Sequence, residues 1–194
     1  MTLATKLTCV RIALTFVIMG FLFVPGREAK AVALALFLVA AGTDWLDGYL
    51  ARHCGQQTPL GALLDPIADK MLVLGLFMAF VQLRVVPAWM VLLIAFREFL
   101  ITGVRLFAAS RQVILPAERE GKHKTVSQMV AIFVVLSVML WEEWALPSHL
   151  AVETVRRLDL LEDVCLWISL ILTVVSGTAF FWRHRAILRD AVTR

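Results

Sequence analysis

Charge is scarce in this chain: Asp, Glu, Lys and Arg make up 18% of its 194 residues, against 60% hydrophobic. With a mean hydropathy of +0.83, that excludes an ordinary soluble domain and predicts a single integral membrane domain over residues 1–194. Cysteine is scarce too. Cys9, Cys54 and Cys165 are odd in number and far apart, and they form no Cys-x-x-Cys pair. A disulfide framework is excluded, and they read as packing residues. His53 and His123 lack metal-ligand spacing with each other. No small-residue cleavage site follows the first apolar run behind Lys6 and Arg11, so that run is expected to be a retained span rather than a signal peptide. The basic residues are scattered around helix ends instead of massed on one face, which argues against a nucleic-acid partner.

What is abundant is apolar sequence in span-sized pieces. A membrane helix needs about 20 mainly apolar residues, and six such segments are predicted near 7–25, 31–53, 60–83, 86–109, 124–146 and 163–183. Breaks are expected at Pro25-Gly26, His53 to Gln57, Arg84, Arg111 to Gly121, and Pro147 to Asp163. The six tryptophans fall mostly near the predicted span ends, as an interfacial belt would. Lys and Arg set the orientation. With both termini on the cytoplasmic side of the inner membrane, only Arg27, Lys30, Arg84, Arg156 and Arg157 lie outside, and Arg97 lies mid-span. The remaining basic residues face the cytoplasm, where they suit anionic lipids and phosphorylated substrates.

The acidic residues are concentrated where they are most costly. Asp44, Asp47, Asp65 and Asp69 fall inside predicted spans two and three. Each charge deep in a bilayer costs ~2.5–3.5 kcal/mol on insertion scales, so four approach roughly 10 kcal/mol unless compensated. Residues three, four, seven and eight apart share a helix face. Asp44, Asp47, Gly48, Ala51 and Arg52 therefore make one stripe, and Gly61, Asp65 and Asp69 a second. The short connection predicts antiparallel neighbours whose carboxylates converge near the cytoplasmic surface. Two divalent cations would compensate such a cluster and could clamp a phosphoryl group. Gly48 and Gly61 leave room for close approach, and Arg52 offers a forked donor to phosphate oxygens. Thr58-Pro59 reads as the N-cap and first helical residue of span three. Pro66 is expected to kink that helix beside Asp65.

The run Asp44-x2-Asp47-Gly48-x2-Ala51-Arg52-x8-Gly61-x3-Asp65-x3-Asp69 resembles the signature of the CDP-alcohol phosphatidyltransferase family at every fixed position. Leu64 to Lys70, Arg97 to Leu100 and Gly121 to Thr125 resemble its bacterial phosphatidylglycerophosphate synthase branch. The resemblance covers roughly residues 5–140 and implies an all-α fold of six transmembrane helices, usually a homodimer. It implies that Asp44, Asp47, Asp65 and Asp69 bind two Mg2+ or Mn2+ ions. Gly48, Arg52, Thr58 and Gly61 would serve the CDP-diacylglycerol site, and Asp69 would double as general base toward sn-glycerol 3-phosphate. The products implied are phosphatidylglycerophosphate and CMP. Thr2-Leu3-Ala4-Thr5, and Leu106 after Arg105, depart from that branch's usual residues without touching the aspartates.

An acceptor phosphate needs cations of its own. Arg105, Lys122 and Lys124 are the candidates, with Arg11 as a fourth; each could instead be an ordinary inner-side flanking charge. Arg97 and Glu98 are adjacent, do not face each other on a helix, and are expected to need separate partners, Glu98 a cation in the pocket. Other acceptors on the same donor are inositol phosphate, serine and phosphatidylglycerol. Serine would need no phosphate site, and a lipid acceptor would not need the Arg105, Lys122 and Lys124 cluster. A divalent-cation channel or carrier would spread acidic residues across the bilayer. Here they cluster at one end, and span six has no charged residue from Val164 to Trp182.

Overall fold

A computed structural model describes residues 3–54, 59–112, 120–143 and 149–193, with side chains at 8–43, 67–68, 70–112, 123–143, 153–154 and 156–185. Six helices run through the described residues: α1 Leu3–Phe23, α2 Arg27–Cys54, α3 Pro59–Gln82, α4 Ala88–Ser110, α5 Glu120–Glu142 and α6 His149–Thr193. No strand occurs among the described residues. The turns sit where local chemistry requires them. Gly26 has φ +106°, a conformation only glycine adopts without strain, and Lys30 Nζ reaches back to the carbonyls of Leu22 and Val24. The orphan carbonyls ending α1 are thereby capped. At the end of α3, Arg84 takes φ +62°. Val85 N–H donates to the Phe80 carbonyl (2.9 Å) and Arg84 N–H to that of Val81 (3.0 Å), the paired bonds of a Schellman ending.

The helices close on one apolar core. Ile18 and Leu22 of α1, Phe37 of α2, Leu76, Phe77 and Phe80 of α3, Ile94 of α4, Ile132 and Leu136 of α5, and Leu170 of α6 meet there. Phe77 and Phe80 pack edge to face at 6.3 Å. Among the described residues α2 and α3 are bridged by α1 and α5, each of which packs on both. The α1–α3 approach is close because Gly75 has no side chain: a Cβ there would lie 2.9 Å from Thr15 Cγ2. Small residues at such crossings are what lets membrane helices come together. Gly75→Val should therefore lower stability by about 1–3 kcal/mol, the scale of core overpacking. Thermal unfolding in detergent checks this, and an unchanged midpoint would deny the crossing its role.

Large apolar side chains also stand on the outside: Leu92, Phe96, Phe99, Leu106 and Trp182 are each more than 60% exposed, the kind of surface that marks a membrane or protein contact. Two helical segments, His123–Glu142 and Arg156–Arg185, are long and apolar enough to cross a membrane. Thr8–Phe23 and Lys70–Gln82 are apolar but shorter.

One predicted boundary is corrected. The stretch from Pro147 to Asp163 was expected to be a break, yet α6 starts at His149 and runs 45 residues to Thr193. Its acidic and basic residues suggest a loop by composition. They contain no Pro or Gly after Pro147, and Glu153 and Arg157 pair at i,i+4 (3.1 Å), as charges on a solvated helix do. The other five helices match the predicted spans to within a few residues.

Candidate active site

Two helices carry the aspartates. The backbone of α2 is helical through Asp44, Asp47, Gly48 and Arg52 to Cys54, and that of α3 through Gly61, Asp65 and Asp69. The three-and-four spacing of both stripes thus runs along continuous helix, including the residues around Pro66. Helix α3 begins at Pro59, as its fixed φ and missing N–H favour. The side chains of these aspartates and of Arg52, and all of Thr58, lie outside the described residues. The expected convergence of the carboxylates lies outside the described residues with them.

The described side chains form a polar layer inside the bundle, between α3, α4, α5 and α6. Glu98 is buried on α4, and its Oε1 accepts from Lys124 Nζ of α5 and from Arg97 Nη1 at 3.1 Å. Arg97 Nη2 donates to Ser176 Oγ on α6 at 3.1 Å, and Ser176 Oγ donates to the Thr173 carbonyl at 3.1 Å. Gln128 Nε2 of α5 donates to Thr173 Oγ1 at 3.2 Å. On the other side, Thr102 Oγ1 donates to the Glu98 carbonyl at 2.8 Å and accepts from Lys70 Nζ, the neighbour of Asp69 in sequence. Buried charge is tolerated only when paired in this way.

Glu98 does take a cation from across the bundle, as expected. Arg97 likewise has a separate partner, Ser176, but the two neighbours also pair with each other, which the helix-face rule did not anticipate. Arg97 is long enough to bend back onto its neighbour while its second nitrogen reaches α6. Gly177 makes room for it, since a Cβ there would lie 3.0 Å from Arg97 Cγ.

The acceptor-phosphate candidates separate. Lys124 is buried in the polar layer. Arg11 is 2% exposed on α1, and its carbonyl accepts from Thr15 Oγ1. Arg105 is exposed, with its guanidinium carbon 5.5 Å from the centre of the Phe180 ring, within cation–π range. Phe180 also packs at 4.6 Å on His184. Lys122 is in helical backbone, with its side chain outside the described residues. Among the described residues no group of three or more His, Cys, Asp or Glu side chains could hold a metal.

Sequence reading missed Lys70, Thr102, Gln128 and the α6 side of the layer. A signal was present: Ser169, Thr173, Ser176 and Gly177 stand at offsets of zero, four, seven and eight, a polar and small stripe along an otherwise apolar span.

The profile of the CDP-alcohol phosphatidyltransferase family matches residues 1–175, which take in both aspartate helices, Glu98 and Lys124. The chain belongs to the CDP-alcohol phosphatidyltransferases. Among curated CDP-alcohol phosphatidyltransferase relatives, the CDP-diacylglycerol–glycerol-3-phosphate 3-phosphatidyltransferase of Bacillus subtilis is 36% identical over 202 aligned residues, covering 97% of this chain and 98% of the relative. The protein of the same name from Rickettsia bellii is 35% identical, covering 92% and 93%. A probable phosphatidylglycerophosphate synthase of Mycobacterium tuberculosis is 35% identical, covering 97% and 82%.

Proposed function

We propose that this CDP-alcohol phosphatidyltransferase makes phosphatidylglycerophosphate and CMP from CDP-diacylglycerol and sn-glycerol 3-phosphate. The observation that carries the reading is the complete aspartate signature on two helices, in a chain that aligns end to end with relatives named for that reaction.

Asp44, Asp47, Asp65 and Asp69 are the residues that would hold two Mg2+ or Mn2+ ions. Four carboxylates are a hard oxygen donor set, which fits either ion, and the helical backbone through all four preserves the spacing this requires. When bound, such ions neutralise the diphosphate of the donor and hold its phosphoryl group for displacement. Arg52 and Thr58 contact the nucleotide diphosphate, with Gly48 and Gly61 leaving space for it. Asp69 accepts the proton of the acceptor's primary hydroxyl. That oxygen bonds to the phosphorus bearing the diacylglycerol, the bond from this phosphorus to the bridging oxygen breaks, and CMP leaves with the electron pair. Lys124, Lys122, Arg105 and Arg11 balance the acceptor's phosphate charge.

The setting is the cytoplasmic side of the inner membrane, with all six helices spanning and both termini inside, as a homodimer. The apolar exterior supports membrane embedding.

The test is CMP release by purified protein in detergent, with CDP-diacylglycerol, magnesium and one acceptor at a time. Turnover is expected with glycerol 3-phosphate and not with inositol phosphate, serine or phosphatidylglycerol. Turnover with one of the latter alone overturns the acceptor assignment.

A further inference from the structure

We propose that the groove between α4 and α6 binds one phospholipid with an anionic head group, its head on Arg185 and an acyl chain along the apolar walls. The inference rests on the membrane embedding of the bundle and not on the identity of the acceptor.

The groove holds about 500 Å3, within the roughly 300–1,000 Å3 of sites that take a small ligand. Leu93, Phe96 and Leu100 of α4 make one wall, and Val174 and Phe181 of α6 the other. Phe96 is 62% exposed and Val174 43%, so the groove opens outward, onto the surface that faces the bilayer. The Thr178 hydroxyl on the α6 wall donates to the carbonyls of Val174 and Val175 and presents no unmet donor. Arg97 and Gly177 also line the groove. Arg97 Nη1 bonds Glu98, so an occupant lies one side chain away from the polar layer.

The two ends of the groove differ, and the difference selects the occupant. At one end Arg185 is exposed, with its guanidinium carbon 4.6 Å from the centre of the Trp182 ring. A ring face attracts a cation without neutralising it, and among the described residues no acidic side chain lines the groove. Val174 stands eleven residues before Arg185, about 16 Å of helix rise, and the wall between them is mainly apolar. A phospholipid has the same two parts. Its phosphate suits a forked guanidinium, a tryptophan beside it sits at head-group level, and its chain suits the walls. An apolar helix of a second copy would match the walls and strand the cation at the seam. A water-soluble anion would match Arg185 and leave the walls uncovered. A zwitterionic head brings its own cation towards Arg185, which favours an anionic one.

Native mass spectrometry of the full chain in detergent, titrated with dioleoyl phosphatidylglycerol or dioleoyl phosphatidylcholine, tests this. The first phosphatidylglycerol per chain is expected to bind at least about tenfold more tightly than phosphatidylcholine, the scale of one charge-assisted contact. Arg185→Gln should bring phosphatidylglycerol to the level of phosphatidylcholine and leave the latter unchanged. Val174→Trp, at an exposed position where a larger side chain displaces no core residue, should weaken both lipids alike by about tenfold, the burial of roughly two methylenes. Equal affinity of the two lipids for the native chain overturns the anionic head group. Phosphatidylglycerol binding that ignores Val174→Trp is adsorption to a basic surface and overturns the groove. A changed oligomer mass in Val174→Trp assigns the groove to a second copy, and one-for-one displacement of phosphatidylglycerol by CDP-diacylglycerol assigns it to the donor; either overturns the proposal. Lipid binding is read without CMP release, so the result stands apart from the proposed reaction.

Discussion

Replacing Asp69 by Asn should reduce CMP release by at least about a thousandfold while leaving the protein as stable as before, or more so. The residue is asked to do two things, to lend a carboxylate oxygen to an ion and to take the proton of the attacking hydroxyl. General base catalysis alone contributes about 10²–10⁴-fold, and Asn is isosteric but neither charged nor basic at neutral pH. The stability half of the expectation separates function from folding. An intramembrane carboxylate costs ~2.5–3.5 kcal/mol on insertion scales, so neutralising it relieves the folded bundle if it is there for chemistry. A carboxylate kept as a structural partner would behave oppositely, because removing half of a buried pair leaves the other half uncompensated. Circular dichroism and thermal unfolding in detergent, alongside CMP release, distinguish the two. A large fall in midpoint together with the loss of activity would sink the catalytic assignment.

Chelation should be as severe. Protein treated with EDTA and exchanged into metal-free buffer is expected to lose at least about a thousandfold in turnover and to recover it with either Mg2+ or Mn2+. Four carboxylates in two stripes repel one another and a diphosphate alike, so without cations the donor is excluded by the same charges that would otherwise hold it. Asp44→Asn and Asp65→Asn take one carboxylate from each helix. Each should raise the magnesium concentration needed for half-maximal rate, which the titration reads directly. Full activity in EDTA would remove the ions from the account.

Much of this was legible in the sequence, for identifiable reasons. The aspartates stood out because charge in an apolar span is costly enough to demand an explanation, and their three-and-four spacing could be carried straight onto helices that the structure confirms as helix. Pro59 announced the start of α3 in the same way. Two readings failed, one from composition and one from a helix-face rule. The stretch from His149 to Asp163 was taken for a loop because it is charged, although i,i+4 pairing makes it helix. Arg97 and Glu98 were separated by a rule about helix faces that applies to short side chains, whereas a guanidinium on a long arm can fold back. The α6 polar stripe was visible at helical spacing and was passed over, since serine and threonine in a span attract less notice than aspartate. The contact between Glu98 and Lys124 is not legible in a linear sequence. They stand 26 residues apart on different helices, and only the packing of the bundle brings them into contact.

The most direct test of the central claim is to identify both products of one reaction. Purified protein in detergent is given CDP-diacylglycerol, magnesium and glycerol 3-phosphate, and the lipid is weighed by mass spectrometry while CMP is counted. The account predicts one new lipid carrying both a phosphodiester and a phosphomonoester, formed in equal amount to CMP. Phosphatidic acid with CMP would mean that water, not the acceptor, attacks the donor. Neither that result nor an unreacted donor is compatible with the transferase described here.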